Sequence, residues 1–297
     1  MYDTILVPTD GSDHAVRAAE HARYLADAFD ATVHVVTVLD LQSAGGPFDA
    51  GGLGEEFVGH LEAQGEKALE AVRAVVDGDA VVTATLRGEP SETILAYAAD
   101  HDVGLVAMGT HGRTGVDRYV AGSVTERVVS RSEAPVLTAR ATERSRVGDG
   151  YEEVLIPTDG SEPAGAAVEP GLAVAERTGA RVHAVTVVDA GDAAASPEYS
   201  VPEEVTAHLE TEGEAATEGI AAQARERGLE ATTAVRTGVA ASDLLAYADE
   251  HGVDLVAMGT AGRTGLTRYL MGSTTERLIR HAEMPVLAVN ARDRAGD

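Results

Sequence analysis

The chain of 297 residues contains no cysteine, so disulfides and thiolate metal sites are excluded outright. Lysine is almost as scarce: Lys67 is the only one, and arginine supplies the rest of the positive charge. Lys and Arg together number 23 against 49 Asp and Glu, a formal net charge of −26. A basic face that could release counterions from nucleic acid is therefore not expected, nor one that would seek an anionic membrane. No apolar run approaches the length of a membrane span. Met1-Tyr2-Asp3-Thr4-Ile5-Leu6-Val7-Pro8 has no basic segment and leads straight into a strand pattern, so a cytoplasmic location is expected. There is no Gly-x4-Gly-Lys-[Ser/Thr] loop, no His-x-x-x-His pair and no Gly-x-Ser-x-Gly elbow. P-loop, zinc-protease and serine-hydrolase chemistry find no support.

The acidic excess itself carries information. Self-repulsion of this size destabilises a compact chain in dilute buffer, and concentrated salt screens it, with a Debye length of about 3 Å at 1 M. An acidic, lysine-poor chain rich in Ala, Val and Gly fits a halophilic protein, the alternative being an ordinary acidic soluble one.

Apolar and turn signals alternate regularly. Ile5-Leu6-Val7 reads as a short buried strand closed by Pro8-Thr9-Asp10-Gly11-Ser12. Ser12 can cap a helix whose Ala15, Ala18, Ala19, Ala22 and Leu25 recur at helical spacing. Thr32 to Leu39 is a dense β-branched strand. After a glycine-rich loop that looks mobile, a helix is expected over about 60–76 and a strand over about 80–86. A helix starting at Glu89-Pro90-Ser91 follows, then strands at 103–108 and from Pro135. Strands alternating with helices predict an open, doubly wound parallel α/β sheet of five strands.

The pattern then restarts. Val154 to Ser161 repeats Ile5 to Ser12 at an offset of 149 residues, and from Leu255 onward the offset is 150. This is a duplication of a whole domain: 1–141, a polar linker 142–150, then 151–292. The loops 41–57 and 190–205 are the least alike, as connections tolerate change best.

In each copy the fourth strand runs into a glycine-rich stretch. Gly109-Thr110-His111-Gly112-Arg113-Thr114-Gly115 precedes Gly122-Ser123-Val124-Thr125-Glu126-Arg127, and Gly259 to Gly265 precedes Gly272 to Arg277. The spacing is Gly-x2-Gly-x9-Gly-Ser both times. Loop amides and a helix N-terminus then converge on one point, where the helix dipole favours negative charge. Ser123 stands as the expected N-cap, with Glu126 at capping-box distance, and the glycines are expected to supply positive φ and close backbone approach. Arg113 and Arg118, with Arg263 and Arg268, are either cations for a bound phosphate or solvated surface arginines. His111, replaced by Ala261 in the second copy, either contacts phosphate or is incidental. His34 and His183 fit packed core positions, and Asp10 is either a ligand-facing carboxylate or a turn former.

Pro-Thr-Asp-Gly-Ser after the first strand, Val-x-Asp after the second and Gly-x2-Gly-x9-Gly-Ser after the fourth together resemble the universal stress protein family. The likeness spans nearly the whole chain as two tandem domains. It implies strand order 3-2-1-4-5 and, in one major branch, ATP binding without a marked catalytic constellation; Mg2+ is then expected to be held mainly by the phosphates and water, as this ion prefers. Carried over by the resemblance, Asp10 and Asp159 lie near the ribose hydroxyls or the adenine edge. The backbone of Val38 and Val187 reads adenine, and Gly109 and Gly259 approach the ribose and α-phosphate. Gly112, Gly122, Ser123 and Val124 cradle the phosphates in the first domain; Gly262, Gly272, Ser273 and Thr274 do so in the second. A nucleotide-dependent binding or signalling protein, a slow ATP hydrolase or phosphotransferase, and a scaffold with empty sites all remain open. Family dimers imply pairing of the last strands, 134–140 with 284–290, as an intramolecular pseudo-dimer, with a further homodimer possible; protein partners are not named by the sequence.

Overall fold

A computed structural model describes residues 2–41, 55–76, 80–112, 122–188, 203–262 and 271–291. The chain divides into two compact units, Met1–Val147 and Gly148–Asp297. The expected mobile loop after the second strand, and its counterpart in the second copy, fall mostly outside the described residues.

In the first unit the strands are β1 (Thr4–Pro8), β2 (Thr32–Leu39), β3 (Val81–Arg87), β4 (Leu105–Gly109) and β5 (Val136–Ala139). All neighbours are parallel, in the order β3-β2-β1-β4-β5. The winding therefore reverses between β1 and β4, the position at which such sheets open a crevice beyond their carboxyl ends. The helices are α1 (Asp13–Phe29), α2 (Glu55–Arg73), α3 (Pro90–Asp100) and α4 (Ser123–Arg131). Ile5, Leu6 and Val7 are fully buried, and so are Ala18, Ala19, Ala22 and Leu25 along the inward stripe of α1. Small alanines on that stripe let the helix lie close to the sheet. The helix expected over 60–76 is shifted to Glu55–Arg73. Its start falls earlier than expected, and a tighter turn from Val75 N to Val72 O ends it.

The second unit repeats the plan with β6 (Glu153–Pro157), β7 (Arg181–Val188), β8 (Ala231–Thr237), β9 (Leu255–Gly259) and β10 (Val286–Val289), ordered β8-β7-β6-β9-β10. Its first helix is broken into α5 (Glu162–Gly165) and α6 (Val168–Thr178), followed by α7 (Glu203–Glu226), α8 (Ala240–Glu250) and α9 (Ser273–His281). The break has a local cause. Pro170 lacks the N–H that would bond Ala166 O, and its ring crowds that carbonyl, so Ala166 and Ala167 instead bond back three residues.

The histidines expected in the core differ between copies. His183 is buried: its Nε2 donates to Glu153 (2.7 Å) and its Nδ1 accepts from the Tyr247 hydroxyl (2.8 Å). His34 is half-buried, 3.1 Å from the Tyr97 hydroxyl. In each unit the tyrosine stacks on a second histidine, His101 at 3.8 Å and His251 at 3.9 Å between ring centres.

The polar stretch 140–150 is not wholly solvent-facing. Ser145 is fully buried, its hydroxyl donates to Arg140 O, and its carbonyl accepts from His21 Nε2 at 2.7 Å. Burial lowers the His21 pKa from 6.5 to about 4, against the Ser145 bond and assisted by the Arg17 charge. Between those two values the unfolded chain takes up a proton that the folded one refuses, so stability is lost as pH falls from 6.5 towards 4. The loss approaches about 3 kcal/mol. His21→Gln is expected to lack this component, so the denaturation midpoints of the two proteins measured at pH 7 and pH 4.5 should diverge in their pH dependence.

Candidate nucleotide-binding crevices

Each crevice has a turn on one side and a helix start on the other. The turn follows β1. Gly11 N donates to Thr9 Oγ1 (3.0 Å), Ser12 N donates to Asp10 Oδ1 (3.0 Å), and Ala15 N donates to Ser12 Oγ (3.3 Å), which caps α1. The second unit repeats these bonds with Thr158, Asp159 and Ser161 at 3.0, 2.9 and 3.3 Å. Gly11 and Gly160 have φ of 78° and 77°, the left-handed conformation that only glycine adopts cheaply. Asp10 is thus a turn former and is also aimed. With Oδ1 held by the Ser12 amide, Oδ2 faces Gly112, 2.7 Å from where a Cβ there would stand; Asp159 faces Gly262 at the same 2.7 Å.

Among the described residues the cradle glycines, Gly109, Gly112 and Gly122 with Gly259, Gly262 and Gly272, are not positive-φ positions, contrary to expectation. They are places of close approach. A Cβ on Gly109 would lie 2.7 Å from the His14 carbonyl carbon, and one on Gly259 2.3 Å from Pro163 O. These two glycines seat the end of the fourth strand against the first helix of the unit, where a Cβ would meet backbone; Gly259 also lines the crevice.

The helix cap also differs from expectation. Gly122 and Gly272 occupy the N-cap positions, with no side-chain cap bond, and Ser123 and Ser273 are the first helical residues. Gly122 N instead donates to Thr110 O (2.8 Å) and Gly272 N to Thr260 O (2.7 Å), closing the loop on itself. The residue at capping-box distance is then threonine. Thr125 Oγ1 donates to Gly109 O (2.8 Å) and Thr275 Oγ1 to Gly259 O (2.9 Å), both buried. The amides of the first three residues of α4, and of α9, therefore have no acceptor within the helix and no side-chain cap. The serine hydroxyl is left beside them. Thr125→Val should leave Gly109 O unsatisfied and cost about 1–3 kcal/mol, readable as a lowered denaturation midpoint.

In the second unit these parts surround one cavity of about 550 Å³. Asp159, Val187, Gly259, Gly262, Gly272, Ser273 and Thr274 all line it, so seven expected residues come together. In the first unit Asp10 and Gly112 are in contact distance, Gly109 and Gly122 join β4 to α4, and Val124 is the second residue of α4. Val38 is half-exposed near the end of β2. Arg113, Arg118, Arg263 and Arg268 lie outside the described residues. Among the described residues no group of three or more His, Asp or Glu is placed to hold a metal, and no helix is long and apolar enough to cross a membrane.

Sequence reasoning missed Thr125 and Thr275 and the arginines two positions on, although all four recur between the copies. It also missed Glu89, which caps α3 by accepting from Glu92 N (2.8 Å) and the Ser91 hydroxyl (2.7 Å) and pairs with Arg127 (3.0 Å). Burial pushes its carboxyl up, but those hydrogen bonds and the Arg127 charge outweigh it and hold the pKa below the ordinary value. At the back of the first crevice His14 and His111 pack 5.2 Å apart. Desolvation first, and the Arg140 charge second, lower the His14 pKa, and its Nδ1 accepts from Ala141 N (3.0 Å).

A doubly wound, Rossmann-like α/β domain whose crevice opens at the switch point is the class the fold defines, here duplicated in one chain. A family model described as the universal stress protein family matches residues 1–140 and 150–290. The chain belongs to the universal stress protein family and carries two of its domains in tandem. A universal stress protein of Methanocaldococcus jannaschii is 37% identical over 142 residues, which is 47% of this chain and 83% of that protein. One of Mycolicibacterium smegmatis is 28% identical over 295 residues, 97% of each chain. The crystal structure of a universal stress protein from Archaeoglobus fulgidus covers 98% of this chain and all of its own, with a TM-score of 0.72 at 22% identity.

Proposed function

We propose that each unit binds one adenine nucleotide, ATP with its Mg2+, and that the protein acts in stress response as a nucleotide-dependent binding or signalling protein rather than as a catalyst of turnover. One observation carries this reading: three uncapped amides and the Ser273 hydroxyl border a cavity whose other wall holds Asp159. Amides of this kind suit phosphate oxygens, and the helix dipole adds favourable charge. An aspartate accepts from ribose hydroxyls and repels phosphate, which fixes the direction in which the nucleotide lies. The Val187 backbone, at the end of β7, suits the adenine edge. Magnesium bound with the nucleotide neutralises phosphate charge; it prefers phosphate and water oxygens to a protein cage, in keeping with the donor set. Denaturing the purified protein and identifying what is released tests the reading, an adenine nucleotide being expected.

The same proposal includes a cytoplasmic, salt-adapted protein. With a net charge of −26, the thermal unfolding midpoint is expected to rise from dilute buffer to multimolar KCl. A midpoint highest in dilute buffer would contradict salt adaptation.

A further inference from the structure

The two crevices share one frame and differ in how they use one arginine. In the first, Glu89 sits immediately before α3; its Oε2 accepts from the Glu92 amide and the Ser91 hydroxyl, and its Oε1 accepts from Arg127 Nη1 at 3.0 Å. The carboxylate therefore holds the α3 start and the Arg127 guanidinium together. In the second, Val239 takes that place. It makes no side-chain cap, is 49% exposed and lines the cavity.

Arg277, the counterpart of Arg127, lines the same cavity, and among the described residues no acid is within ion-pairing distance of it. The nearest acid in sequence, Glu276, is engaged by Arg280. Arg277 lies one helical turn beyond Ser273, so the two share a face of α9 next to the uncapped amides.

We propose that the crevices are unequal: Val239 leaves Arg277 available to a phosphate of the bound nucleotide, which makes the second crevice the tighter and more charge-dependent site. This rests on the reading that both crevices bind nucleotide. A guanidinium offers a planar fork of donors that matches a phosphate bidentately. Glu89 engages one arm of that fork, Nη1, in the first crevice and adds a negative charge near where an anion must enter. Val239 removes that contact and its charge, although the Asp243 carboxylate lies beside Gly238.

The experiment uses the full chain with one crevice blocked at a time, Gly112→Val leaving the second and Gly262→Val leaving the first. Calorimetry at one fixed KCl concentration then measures ATP, ADP and adenosine. ATP is expected to bind the second crevice about tenfold more tightly than the first, the worth of roughly one charge-assisted hydrogen bond. The ratio is expected to shrink through ADP and approach unity with adenosine. Val239→Glu should bring the second crevice to the affinity of the first. Glu89→Gln, which keeps an acceptor for the α3 amide while releasing Arg127, should strengthen the first. Arg277→Gln should abolish the difference.

Equal ATP affinities in the two crevices would overturn the inference while leaving the nucleotide reading standing. A ratio that persisted with adenosine would overturn it too, because the apolar surface of Val239 would then be the cause. Absence of nucleotide binding in both crevices would overturn the nucleotide reading and this inference with it.

Discussion

Gly262→Val is expected to abolish nucleotide binding in the second crevice and leave the first intact, and Gly112→Val to do the converse. The added Cβ would stand 2.7 Å from the aspartate Oδ2 in each case, closer than real Cβ contacts come. The aspartate cannot simply rotate away, because its other oxygen is held by the Ser12 or Ser161 amide. The two methyls of valine would then extend from the loop beside the uncapped amides, where phosphate has to approach. Losing two or more phosphate hydrogen bonds corresponds to a loss of affinity on the order of 100-fold or more. Calorimetry in high KCl should count one remaining site in each variant. Steady phosphate release by the wild type that vanished in the double variant would instead favour a hydrolase.

Gly259→Ala and Gly109→Ala are expected to act on stability. A methyl on Gly259 would meet Pro163 O at 2.3 Å and Ala164 Cα at 3.0 Å, and one on Gly109 would meet the His14 carbonyl carbon at 2.7 Å and Ala15 N at 2.8 Å. These are backbone atoms at a helix start, so relief requires the helix to move off the strand. Overpacking of this kind costs about 1–3 kcal/mol and occasionally more, with Gly259 expected at the upper end. Thermal melts should show both midpoints lowered, by roughly 5–10 °C for Gly259→Ala. An unchanged midpoint would mean that the first helix is not seated on this glycine.

The sheet was legible in the sequence because its strands are short, apolar and punctuated by glycine and proline, and because the chain states the pattern twice. Leu105 to Met108 and Leu255 to Met258 are buried strands in both copies, as the apolar runs implied. The convergence of Asp159 and Gly262 followed from topology alone, since β6 and β9 are neighbours. Details that depend on which atom approaches which were not legible. Spacing placed a cap at Ser123, but a loop that closes through the Gly122 amide moves the cap back one residue and gives the buried role to Thr125. Nothing in composition distinguishes a glycine needed for φ, such as Gly11, from one needed for contact, such as Gly109. The Glu89–Arg127 pair joins residues 38 positions apart, and only the packing of α3 beside α4 reveals it.

The pairing of two crevices with one chain is tested most directly by titrating the protein with Mg-ATP in multimolar KCl. Two nucleotides are expected to bind per chain, with the stronger site lost in Gly262→Val. No binding of any adenine nucleotide at millimolar concentration would contradict that expectation and leave only a scaffold with empty crevices.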